Sequence, residues 1–308
     1  MHGRMANARI LIGAASWTDP SLVSCRKFYP PEVKSAEQRL RYYAERFPIV
    51  EVDSSYYALP SSRNASLWAE RTPPQFVFNI KAFRLLTQHQ TDPKVLPAEV
   101  SGALTVEPGR TVYYSDLPAE AQDEVWRQFL LALEPLRTAG KLGALLFQFP
   151  KWFVVGRSSY DHLRELRRRL EGYCVAIEFR HPSWFSERHR ASTLAFEREA
   201  RFCNVIVDEP QTTASSIPAV WEATTDRLAM LRMHGRNAQM WDKKGLKTST
   251  ERFDYDYSRD ELRQFLVPVR NLAAQVSAVH VIFNNNKEDQ GIRGARMLRE
   301  LLENETAA

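Results

Sequence analysis

Cysteine is scarce in this chain. Only Cys25, Cys174 and Cys203 are present, and no two are closely spaced. That excludes a disulfide framework and a Cys-rich zinc site. Cys174 and Cys203 fall near the starts of strand-like runs, where a thiol packs as a small hydrophobe. Long apolar runs are missing too. None reaches the ~18 residues that a membrane helix needs, so no membrane partner is expected. The opening MHGRMANARILIG has no apolar h-region and no small-residue cleavage site. The expected location is therefore cytoplasmic, with residues 1–8 as a flexible tail. Low-complexity segments and sequence repeats are absent. Neither sign of charge dominates: 42 Lys and Arg against 37 Asp and Glu leave a net +5. This suits an anionic ligand but is not the concentrated basic footprint of a dedicated nucleic-acid binder. The densest basic run, RELRRRL at 164–170, has a helical stripe of Leu163, Leu166 and Leu170. Its arginines read as a solvated helix face.

The chain does have enough apolar material for a large core. Of its 308 residues, 44% are hydrophobic and 26% charged. A chain of this length buries roughly 75% of its unfolded surface. Eight runs rich in β-branched or aromatic residues read as strands: 10–17, 49–57, 76–83, 142–150, 174–182, 202–210, 227–235 and 278–286. Helical spacing predicts helices at 35–47, 62–71, 119–139, 159–171, 187–200, 259–275 and 289–303. Ser35 is a possible N-cap, and Ser258 with Glu261 fits a capping box. Alternating strands and helices imply a parallel sheet, and eight such units closing on themselves make an α/β TIM (β/α)8 barrel. A single domain over 9–308 is expected. The connections 84–118 and 236–257 are long and follow strands, which places them over the C-terminal face. The segment 211–226 shows no helical pattern.

Alternation along a strand sorts the side chains by face. In the fifth strand Val175, Ile177 and Phe179 face the helices, leaving Cys174, Ala176, Glu178 and Arg180 inside. The second strand leaves Ile49, Glu51 and Asp53 inside. The sixth is expected to leave Asn204, Ile206 and Asp208, and the seventh Leu228, Met230, Arg232 and His234. Inward polar ends elsewhere are Ser16, Asn79 with Lys81, Gln148, and Asn284 with Asn286. Nearly every strand thus carries a polar inward residue near its C-terminal end. Unpaired buried charge costs several kcal/mol, so a set of this kind is either cross-paired or a pocket. The C-terminal mouth is where TIM-barrel sites lie, which favours a pocket.

The residues at this mouth allow several chemistries. Arg180, Arg232 and Lys81 would clamp a phosphate or carboxylate on an anionic small molecule. His234 or His181 would transfer the proton, with Glu51 or Glu178 as partner. Ser16, Trp17, Tyr57, Gln148, Asp208 and Asn284 complete the expected ligand-binding set. No cofactor is required. One alternative is a divalent metal held by Glu51, Asp53, Glu178, Asp208 and His234 in a hydrolase or isomerase, although no local spacing such as HxxxH supports it. Glu51 with Glu178 also has the composition of a glycosidase pair, but three nearby cations would keep both ionised. A further alternative is a nucleic-acid end, with bases on the aromatic residues and phosphates on the arginines.

Ordered motifs run through nearly the whole chain. They include SW at 16–17, FYP at 28–30, YYA at 42–44, VEVDSSYYALP at 50–60, and Trp68 ahead of TP at 72–73. FxFxIK at 76–81, KLGALLFQFP at 141–150, EFRHPSW at 178–184, RMHG at 232–235, Trp241 and FNNN at 283–286 follow. In these the chain resembles the family catalogued as domain of unknown function 72, also called YecE-like. The resemblance implies a TIM barrel. It implies no activity, because the family's name records that its reaction is not established. The family usually has Asn where this chain has Asp53, and often Phe-Tyr where it has Tyr56–Tyr57. A mechanism built on Asp53 would therefore not be a family mechanism.

Overall fold

The computed structural model describes residues 8–104, 107, 109–213, 215–246 and 248–304. The expected tail, residues 1–8, lies outside them except for Ala8. Eight strands are present: β1 (Arg9–Ala15), β2 (Ile49–Val52), β3 (Val77–Lys81), β4 (Leu142–Gln148), β5 (Val175–Glu178), β6 (Phe202–Asp208), β7 (Leu228–Met233) and β8 (Ala278–Phe283). Each pairs in parallel with its neighbour in chain order, and β8 pairs with β1 to close the barrel. The chain therefore forms the α/β TIM barrel that its alternating pattern predicts.

Helices on the outside cover the barrel through aromatic and aliphatic side chains. The helix Ala119–Thr138 buries Val125, Trp126, Phe129 and Leu133, and Trp126 stacks on Phe147 of β4 at 6.1 Å. In the helix Arg157–Arg169, Leu163 and Leu166 are buried while Arg169 pairs with Glu165 and Asp123 outside. Ser35 with Gln38 and Ser258 with Glu261 form reciprocal capping boxes, fixing two helix starts. Among the described residues, no helix separates β6 from β7. No helix among them is long and apolar enough to cross a membrane.

Register fixes which side chains share the interior. Glu51 lies level with Ala15 and with Asn79, and Gln148 level with Glu178. Arg232 lies level with Val207 and Ile282. In the same interior, His280 Nδ1 bonds Asn79 Oδ1 at 3.1 Å, and the same oxygen accepts Ala144 N–H at 2.9 Å. Gly143 makes room for this amide: a Cβ there would stand 2.5 Å from Asn79 Oδ1.

Strand β6 runs one residue out of the expected phase. Cys203 is level with Ala176, and Val207 with Arg232. Cys203, Val205, Val207 and the following Glu209 therefore face inward. Asn204, Ile206 and Asp208 face outward, where Asn204 Nδ2 donates to the carbonyls of Val220 and Glu222. All seven strand residues are buried, so alternation carries no solvent signal. The polar residues that mark the wrong face find their partners in the loops.

Candidate functional site

Arg232 crosses the barrel interior from β7. Its Nε donates to Glu51 Oε2 at 3.0 Å and its Nη2 to Glu51 Oε1. Its Nη1 donates to Glu178 Oε2 at 2.5 Å. One guanidinium thus serves two carboxylates from opposite sides, the forked geometry that makes such pairs strong. All three side chains are 0% exposed. Burial pushes Glu51 up from its ordinary value, and Arg232 offsets only part of this. Burial works the same way on Glu178, but Arg232, His234 and Arg180 outweigh it and hold that carboxyl well below the usual range.

Glu178 is the hub. Its Oε1 accepts from Gln148 Nε2 at 2.6 Å, His234 Nε2 at 3.1 Å and Arg180 Nη1 at 3.2 Å. Asn284 Nδ2 lies 3.0 Å from His234 Nδ1, which assigns the imidazole proton to Nε2. Burial brings His234 down to about 4, against the pull of Glu178, so the ring is neutral at neutral pH. Arg180 bridges outward: its Nη1 also reaches Glu209 Oε2 at 3.0 Å. Glu209 Oε1 accepts Ile217 N–H at 2.7 Å, tying down the loop after β6. Burial raises Glu209, with Arg180 and that amide opposing. Alongside, Lys81 Nζ lies 3.0 Å from Asp53 Oδ1. Burial disfavours the Asp53 charge, yet Lys81 and Arg232 keep it below its ordinary value.

The sequence-selected residues therefore divide into groups. Glu51, Glu178, Arg232, His234, Gln148, Asn284 and Arg180 converge into one hydrogen-bonded network, with Lys81 and Asp53 beside it. Glu51, Glu178 and His234 are sealed within it, so none of the three is open to a ligand in this arrangement. Asp208 stands apart: Arg236 grips it bidentately at 2.8–3.0 Å, and Tyr257 donates to it at 2.5 Å. Trp17 is buried outside the barrel against Trp68 and Phe78. Ser16 turns the chain at φ 65° and bonds Thr18. His181 caps the turn at 182–185, its Nδ1 accepting Ser183 N–H at 3.2 Å. Tyr57 is exposed at the rim. Among the described residues, no three His, Cys, Asp or Glu side chains converge as metal ligands. Most of these carboxylates are engaged by cations instead.

Above the network lies a cavity of about 880 Å³, floored by Arg180, His181 and Trp241. The Arg180 guanidinium lies 5.2 Å over the Trp241 ring. Its walls carry Lys151, Lys243, Lys244 and Arg252 against a single carboxylate, Asp242. Lys151 donates to Ser215 Oγ at 2.7 Å and sits 3.6 Å from Asp242. Lys243, Lys244 and Arg252 have no carboxylate partner among the described residues. Strand periodicity did not reveal this wall, because it comes from the connections after β4 and β7. The available signal was the Lys243–Lys244 pair two residues after Trp241 in a long C-terminal-face loop.

Known relatives cover the same span. The UPF0759 protein YunF of Bacillus subtilis is 32% identical over 296 residues, 96% of this chain and 95% of that protein. The crystal structure of a DUF72 family protein from Enterococcus faecalis aligns over 96% of this chain and 95% of that one, with a TM-score of 0.77 and 25% identity. Another, from Thermotoga maritima, aligns over 96% and 99%, with a TM-score of 0.72 and 30% identity. The family model described as protein of unknown function DUF72 matches residues 11–308, and the chain belongs to that family.

Proposed function

We propose that the cavity binds a phosphate- or carboxylate-bearing molecule, and that the protein is an enzyme acting on it by proton transfer. The observation that carries this is the set Lys243, Lys244 and Arg252, none with a carboxylate partner among the described residues, around a cavity floored by Arg180. Four wall cations and Arg180 against the one carboxylate Asp242 leave an excess of positive charge, and a bound anion relieves their repulsion. Arg180 suits the floor. Glu178 and Glu209 hold it through Nη1 alone, so Nε and Nη2 remain as donors for a ligand. The buried network acts as the support that fixes this guanidinium.

A general acid or base must reach the group it serves. His181 lines the cavity, and its Nδ1 accepts from Ser183, so the neutral ring carries its proton on Nε2. His181 is therefore the proton-transfer residue in this reading, and hydrolysis, elimination and isomerisation are the reactions it serves. Calorimetric titration with inorganic phosphate tests the binding step. Uptake by the parent, about tenfold weaker binding by Lys244→Ala with Arg252→Ala, and unchanged binding by His181→Gln are the expected results. No uptake by the parent, or full affinity in the double variant, would overturn the proposal.

A further inference from the structure

Two strongly exposed aromatic side chains stand at this same end of the barrel. Tyr57 is 59% and Trp152 57% exposed. Two further rings join them. Tyr57 meets Tyr56 edge-on at 5.1 Å, Tyr56 meets His89 at 5.3 Å, and His89 meets Trp152 at 5.7 Å. The four rings come from the connections after β2, β3 and β4, so the row is an arrangement of the folded barrel. Three of its rings, Trp152, His89 and Tyr56, are also held in place. Trp152 Nε1 donates to the Gln88 carbonyl at 3.2 Å, and Thr87 Oγ1 bonds His89 Nδ1 at 2.9 Å. Lys81 and Arg84 lie 4.8 and 5.3 Å over the Tyr56 ring. Burial, with Arg84 and Lys81 nearby, brings His89 down to about 4, so it enters the row as a neutral ring. Next in the chain to Trp152 is Lys151, on the wall of the basic cavity.

Trp152, anchored through its indole N–H with more than half its surface in water, is not accounted for by packing, and Tyr57 is equally exposed against Tyr56 at the other end. An aromatic row beside cations in excess of carboxylates is how a surface meets a chain of alternating flat rings and phosphates. We infer that the molecule taken up at this mouth is a short single-stranded nucleic acid, its bases on the aromatic row and its phosphates on the cations of the cavity. This rests on the anion-binding reading above and names its ligand class. The two exposed rings stand at opposite ends of the row, so one base cannot cover both, which favours an oligomer over a mononucleotide. Base faces are reachable only when the strand is unpaired. Few free cations and a net charge of +5 suit a short strand.

Fluorescence anisotropy with end-labelled oligothymidylate of twelve nucleotides tests this on the full chain. Inorganic polyphosphate, thymidine monophosphate and a sulfated oligosaccharide serve as competitors. The expected results are binding of the oligonucleotide at least about tenfold tighter than polyphosphate, and a loss of about tenfold in each of Trp152→Ala and Tyr57→Ala. Those two variants should bind polyphosphate as the parent does, whereas Lys244→Ala with Arg252→Ala should weaken both ligands. Equal affinity for polyphosphate with silent aromatic variants overturns the nucleic-acid inference and leaves the anion site standing. Equal affinity for the mononucleotide overturns the oligomer. Aromatic-dependent binding of the sulfated oligosaccharide in preference to the oligonucleotide assigns the row to a glycan and overturns it too. Binding of none of the four overturns both readings.

Discussion

A guanidinium between two glutamates is stable in a protein interior only while all three are present. Replacing Arg232 by Met leaves Glu51 and Glu178 without their shared counter-charge, a loss of ~3–5 kcal/mol in urea unfolding. Glu51→Gln should cost less than Glu178→Gln in the same assay. Burial already raises Glu51 toward its neutral form, whereas Glu178 is held ionised by four donors. A different buried acid, Glu197, has no such company. Among the described residues neither of its carboxyl oxygens has a hydrogen-bond partner, it is 0% exposed, and burial pushes it well above its ordinary value. The folded protein therefore holds a proton that the unfolded chain gives up. That contribution to stability is complete below the unfolded pKa of ~4.3 and is lost as pH rises toward the folded value. Glu197→Met removes the titration and nearly keeps the volume. Its stability gain over the parent should be larger at pH 8 than at pH 5; equal gains would show that Glu197 is not protonated on folding.

At the scale of elements, β6 separates the two carboxylates that follow each other in its sequence. Asp208 belongs to the outer layer with Arg236 and Tyr257, whereas Glu209 touches Arg180 and the loop at Ile217. Glu209→Gln should therefore weaken phosphate binding by calorimetry, because Arg180 loses one of its two anchors. Asp208→Asn should leave affinity unchanged and lower the melting temperature. The reverse pattern would mean that β6 has the other phase. Strands β2, β5 and β7 could be phased from sequence because each carries apolar residues on one parity and charge on the other. β6 could not, because both of its faces are buried and its outward polar residues find partners in the loops, Asn204 at two carbonyls and Asp208 at Arg236 and Tyr257. Pattern reading likewise placed Trp17 at the mouth, since proximity to a strand end does not tell a turn outward from a turn inward. Ser16, at φ 65°, is where that outward turn begins.

For the whole molecule, the barrel was legible because eight apolar runs and their intervening helices recur in order along nearly all of the chain. The buried network was legible because a period of two puts Glu51, Glu178, Arg232 and His234 in one interior. The cavity was not, because Lys243, Lys244 and Arg252 lie in a connection whose path no periodicity records. The net charge of +5 is spread widely, so this cavity, rather than the overall field, should govern association with an anionic strand. With three or four cations engaged, the log–log salt slope for oligothymidylate should be roughly −2 to −3. A much steeper slope would require a basic footprint beyond the cavity. The claim on which the rest depends is that an anion sits between Arg180 and the cations Lys243, Lys244 and Arg252 of the connection after β7. Crystals soaked in tungstate, a heavy mimic of phosphate, address it directly. The account predicts an anomalous peak within hydrogen-bond reach of Arg180 and of Lys244 or Arg252. An ordered, empty cavity with tungstate bound elsewhere would contradict it.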